Sequence, residues 1–91
     1  MNIECKDRKF EIIKNVKGAF NQEDFVSKYM EELFDKYDYI VGDISSGILR
    51  LKGFSGDERK SNSYKTIPDY LMEGCVYNCA YYILKRIKKW L

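Results

Sequence analysis

Hydrophobic and polar positions along this chain follow two periods, and the switches between them mark its elements. In Lys9-Phe10-Glu11-Ile12 the period is two, with Phe10 and Ile12 on one face until Ile13 breaks the alternation. Ile3 to Asn15 therefore predicts two short strands, with Asp7-Arg8 as a glycine-free turn between them. After Phe20 the period changes. Phe25, Tyr29 and Leu33 recur at i, i+4 and i+8, and Val26, Met30 and Phe34 form the adjacent row, which makes one broad apolar stripe. Asn21 suits an N-cap bonded to the Asp24 N–H, and Phe20 and Phe25 have hydrophobic-staple spacing. This pattern predicts one helix from Gln22 to Lys36, about 22 Å long.

Tyr37 to Asp43 is aromatic and β-branched and predicts a strand; Ser45-Ser46-Gly47 is a turn. Ile48 to Phe54 is a second strand, with Leu49 and Leu51 on one face and Arg50 and Lys52 on the other. Two registers are open. A three-residue loop puts Tyr39 and Val41 beside the leucines; a two- or four-residue loop puts Ile40 there. Ser55 to Ser63 has no apolar residue and is expected as an exposed, mobile loop, with a flexible stretch over 55–65. Thr66 as N-cap, Pro68 in the first turn and Gly74 at the end predict a helix of about two turns. Ala80-Tyr81-Tyr82-Ile83-Leu84 is apolar throughout, so periodicity alone leaves strand and helix open. Aromatic and β-branched content favours a strand over Ala80–Ile87, with Tyr82, Leu84 and Arg86 on one face. The expected architecture is α+β. It is a single domain over 1–91 in the order β-β-α-β-β-α-β, with a mostly antiparallel or mixed sheet of about five strands and two helices.

Composition narrows the function. The 91 residues suit one small core, and no apolar run approaches the ~18 residues of a spanning helix. The N-terminus has no signal-peptide pattern, so a cytoplasmic location is expected and a membrane partner is not. Histidine is absent, which removes the commonest general base and metal ligand; no cofactor or metal is expected. The net charge is +2, unevenly spread: residues 1–45 carry seven basic and ten acidic side chains, residues 46–91 nine and four. Cys5, Cys75 and Cys79 are an odd set without paired zinc spacing, and read as buried thiols.

Tyr37-Asp38-Tyr39-Ile40-Val41-Gly42-Asp43, Gly47, Leu49-Arg50-Leu51-Lys52-Gly53-Phe54, Asp69-Tyr70-Leu71 and Cys75-x₃-Cys79-Ala80-Tyr81 together resemble the YutD-like family of low-GC Gram-positive bacteria. The resemblance runs from about Phe10 to the end, and its specific part is Tyr37 to Phe54. It implies a compact α+β fold in the bacterial cytoplasm and no activity. The turn Ile44-Ser45-Ser46-Gly47 departs from the bulkier aromatic turn of that pattern.

Three functions follow as expectations. The first is a non-enzymatic binding protein with a protein partner; eight tyrosines in 91 residues suit a contact surface. The second is RNA binding through a basic and aromatic sheet face and the basic C-terminus, using Arg50, Lys52, Lys85, Arg86, Lys88 and Lys89. The third is a small thiol- or metal-dependent enzyme at Cys75 and Cys79. Asp43, between Gly42 and the turn, is expected to cap turn N–H groups or to touch a ligand.

Overall fold

A computed structural model describes residues 2–5, 8–45, 47–74 and 80–87. The chain opens with β1 (Asn2–Cys5) and β2 (Arg8–Val16), paired antiparallel. Arg8 stands opposite Cys5 as the first residue of β2, so it belongs to the ladder and not to the turn; Asp7 lies outside the described residues. Helix α1 (Gln22–Lys28) starts as its local sequence dictates. The Asn21 side chain accepts from the Asp24 N–H at 3.0 Å, and the Phe20 and Phe25 rings meet at 5.9 Å.

The expected single helix from Gln22 to Lys36 is two pieces. Tyr29 and Met30 take extended backbone angles, and α2 (Glu31–Phe34) begins afresh beyond them. The reason lies in Tyr29. It is buried, its ring packs on Phe10 and Phe25, and its hydroxyl donates to Asp35 Oδ1 at 2.7 Å. Arg8 of β2 bonds the same carboxylate through Nε and Nη2, and Arg86 donates to the Asp35 carbonyl. The break lets Tyr29 enter the core while Asp35 meets both arginines. Its cost is visible: Met30 and Leu33, which periodicity assigned to the buried stripe, are half exposed.

β3 (Tyr39–Ser45) and β4 (Ile48–Phe54) form the second hairpin. Ser45 pairs with Ile48 and Gly47 has φ +78°, the left-handed value a tight hairpin needs. This register puts Ile40 on the leucine side, where it joins the main core. A 3₁₀ turn (Tyr64–Thr66) leads into α3 (Ile67–Gly74), and β5 (Ala80–Ile87) ends the described chain. The expected strand for Ala80–Ile87 holds; the helix alternative does not. Among the described residues, three short α-helices and the 3₁₀ turn stand where two helices were expected.

The strand order is β1-β2-β5-β3-β4, antiparallel throughout. One sheet face carries Phe10, Ile40, Tyr82 and Leu84 beneath Phe25 and Tyr29. The other carries Val41 and Phe54 beneath Ile67 of α3. The 55–63 segment is exposed in its middle, but Ser55 and Ser63 are buried and bridged, with Ser55 N–H donating to Asn62 O at 2.8 Å.

Gly42 lets the sheet close over Tyr82. A Cβ there would lie 2.3 Å from Cζ of the Tyr82 ring. Tyr82 is fully buried, and its hydroxyl has no hydrogen-bond partner among the described residues. Gly42→Ala is expected to cost about 2–3 kcal/mol by overpacking. Tyr82→Phe removes an unsatisfied polar atom and is expected to hold or raise stability, by about 1 kcal/mol. Urea unfolding midpoints of both variants check this; a destabilised Tyr82→Phe would mean that its hydroxyl is satisfied in solution.

Candidate functional site

The register sets Tyr39, Val41 and Asp43 of β3, Arg50, Lys52 and Phe54 of β4, and Tyr81, Ile83 and Lys85 of β5 on one sheet face. This is the face on which sequence placed bases among aromatics. It is not bare. The 3₁₀ turn and α3 lay Tyr64, Ile67, Tyr70 and Leu71 over Val41, Phe54, Tyr39 and Ile83. That layer stands between the β4 bases and Lys85.

Arg50 and Lys52 are on the β4 side. Arg50 reaches across to Asp43, Nη2 to Oδ2 2.6 Å and Nε to Oδ2 3.1 Å. Tyr70 of α3 donates to the other oxygen at 2.9 Å. Asp43 is fully buried, so its charge is carried by a guanidinium and a phenol and not by the turn. Hydrogen bonding to Asp43 holds the Arg50 pKa above its ordinary value. Burial, helped by the bond to Asp43, pushes Tyr70 up to about 12. Lys52 lies 5.7 Å from the Tyr70 ring and 5.8 Å from Phe54.

Lys85 stands at the other side, where an open hollow of about 680 Å³ is lined by Asp38, Tyr39, Gly56, Asp57, Tyr64, Lys85 and Arg86, the Arg86 guanidinium turning to the opposite sheet face to donate to the Asp35 carbonyl. Tyr39 and Tyr64 stack there, centroids 5.0 Å apart and planes 22° from parallel. The 55–63 loop that forms the wall is internally bonded. Gly56 N–H donates to Asp38 Oδ2 at 2.8 Å and Asp57 N–H to Ser55 Oγ at 3.0 Å. Tyr64 donates its hydroxyl to Glu58 Oε1 at 2.7 Å, and Lys65 Nζ is 3.0 Å from the other Glu58 oxygen. Tyr64 first, then Lys65, hold the Glu58 carboxyl below its usual range. Arg59 does the same for Asp57.

Sequence named Lys85 and Arg86 but missed Asp38, Tyr39, Asp57 and Tyr64 as their neighbours. The one local signal was Tyr64, the first aromatic residue after nine polar or glycine positions. Lys88, Lys89, Cys75 and Cys79 lie outside the described residues. Cys5 is buried in the main core. Among the described residues, no group of three or more His, Cys, Asp or Glu is placed to hold a metal. No helix among them is long and apolar enough to cross a membrane.

Residues 4–85 match the family model described as "Putative antitoxin YutD-like". The chain belongs to the YutD-like family. It is 42% identical over 88 residues to "Putative antitoxin YutD" of Bacillus subtilis (strain 168), covering 92% of this chain and 96% of that protein. The solution NMR structure of protein yutD from B. subtilis shares the fold with a TM-score of 0.82 at 41% identity. That match spans the whole of this chain and 86% of the other.

The Tyr70–Asp43 bond predicts a pH dependence. Tyr70 keeps its proton in the fold to about pH 12, whereas the unfolded chain ionises near its ordinary 10. Its contribution to stability is therefore full below pH 10 and lost as pH rises from 10 toward 12. Urea midpoints measured across that window are expected to fall less steeply for Tyr70→Phe than for wild type. Equal slopes would show that Tyr70 does not hold its proton.

Proposed function

We propose that this chain is a non-enzymatic, cytoplasmic binding protein whose partner is a protein, acting in the antitoxin manner by occupying and silencing that partner. The observation that carries the reading is the hollow beside β5. It sets a stacked tyrosine pair next to a cation and two carboxylates on an internally bonded wall. Tyrosine and paired charges of both signs are what a protein surface engages, through apolar contact ringed by ion pairs. The family's description supports the same partner class. A polyanion suits the hollow less well. Asp38 and Asp57 line it, Glu58 lies behind Tyr64, and α3 stands between Lys85 and the other described candidate bases, Arg50 and Lys52.

Lys85→Glu, at an exposed position of β5, tests the reading with little cost to the fold, under about 1 kcal/mol for a like-charge pair with Glu11 across the ladder. Tagged wild type and variant are compared in native pull-downs with and without nuclease. Wild type is expected to retain a protein in stoichiometric amount in both arms, and Lys85→Glu to retain at least tenfold less. Retention of nucleic acid alone, or of the same protein equally by both, would defeat the proposal.

A further inference from the structure

β4 is an end strand of the sheet, and its outer backbone is only partly used. At Ser55, just beyond it, N–H and C=O point away from β3 and are taken by Asn62 and Tyr64, each at 2.8 Å. Two-residue steps back from Ser55 give the other outward positions: Gly53, Leu51 and Leu49. Gly53 is buried beneath the Tyr37 ring. Leu49 and Leu51 are half-buried, and among the described residues no strand pairs with their outward groups. The chain thus adds a bridge of its own to one end of this edge and leaves the stretch Ile48–Lys52 open. β1, the opposite edge, spans four residues.

What flanks the open stretch selects an occupant. On one face are Arg50 and Lys52, both exposed; Arg50 is already paired with the buried Asp43, whereas Lys52 has no carboxylate partner among the described residues. On the other, next to Leu49, a hollow of about 300 Å³ opens between α1 and the hairpin, lined by Asp24, Ser27, Lys28, Gly47, Ile48 and Leu49. A second copy of β4 is a poor fit. Antiparallel pairing centred on Leu51 would set Arg50 opposite Lys52 of the other copy, twice, with like charges facing.

We infer that the β4 edge takes an extended segment of a protein partner as a sixth strand, with an acidic side chain facing Lys52 and apolar ones facing Leu49 and the α1 hollow. Main-chain bonds to Leu49 and Leu51 supply affinity, and the alternating faces supply selectivity. This rests on the protein-binding reading above and names the kind of segment bound.

The probes are two blocked seven-residue peptides, one alternating glutamate with valine and the other lysine with valine. They are titrated into the labelled full chain and followed by amide NMR and hydrogen exchange. The glutamate peptide is expected to bind at least tenfold more tightly than the lysine peptide, to shift and protect the Leu49 and Leu51 amides, and to weaken about tenfold on Lys52→Glu. Equal binding of both peptides, unprotected Leu49 and Leu51, shifts centred on Tyr39 and Tyr64, or pairing of β4 between two copies would each overturn it. A captured protein that survives Lys52→Glu but is lost with Lys85→Glu would sink the edge assignment alone and leave the protein-binding reading standing.

Discussion

The last described strand in chain order lies in the middle of the sheet. β5 pairs with β2 on one side and β3 on the other, and among the described residues no other strand joins the two hairpins. The β1–β2 and β3–β4 pairs are local and form from neighbouring sequence. Each exposes an apolar face that stays wet until Tyr82 and Leu84 arrive between them. This explains why Ala80 to Leu84 is apolar throughout. A strand flanked on both edges and covered on both faces is buried along its centre, and alternation alone cannot describe it. It also makes assembly depend on contacts distant in sequence, which is the slow way to close a sheet.

Two carboxylates then fasten the helical layers to that sheet, one on each face. Asp35 gathers Arg8 from β2, Tyr29 from the end of α1 and, through its carbonyl, Arg86 from β5. Asp43 gathers Arg50 from β4 and Tyr70 from α3. Each is an acid held by an arginine and a tyrosine, a set that neutralises the charge and satisfies both oxygens; Asp43 is fully buried and Asp35 partly exposed. Both carboxylates are thereby committed to structure, and the surfaces proposed above as contact sites lie at the margins. These margins are the hollow beside Lys85 and the open edge of β4. They sit on opposite flanks of the α3 layer, so one partner long enough to reach around it would touch both.

By itself the sequence determined the elements whose signals are short-range: the Asn21 cap with its phenylalanine staple, the alternation of β4, the α3 boundaries and the extent of β5. Each rests on contacts within a few residues, or on composition that one backbone geometry tolerates best. It also carried the family, through Tyr37 to Phe54. The tertiary structure decided the rest. Tyr29 and Met30 read as helix because their spacing is helical, yet a core place for one phenol and two arginine bonds to Asp35 outweigh the continued turn. The hairpin register awaited a pairing that only Ser45 and Ile48 define. Lys85 acquired Tyr39 as its ladder neighbour, and Tyr64 stacked on Tyr39, across separations no local pattern encodes. Periodicity states which face of an element is apolar; only packing states what that face meets and which polar groups are left outside.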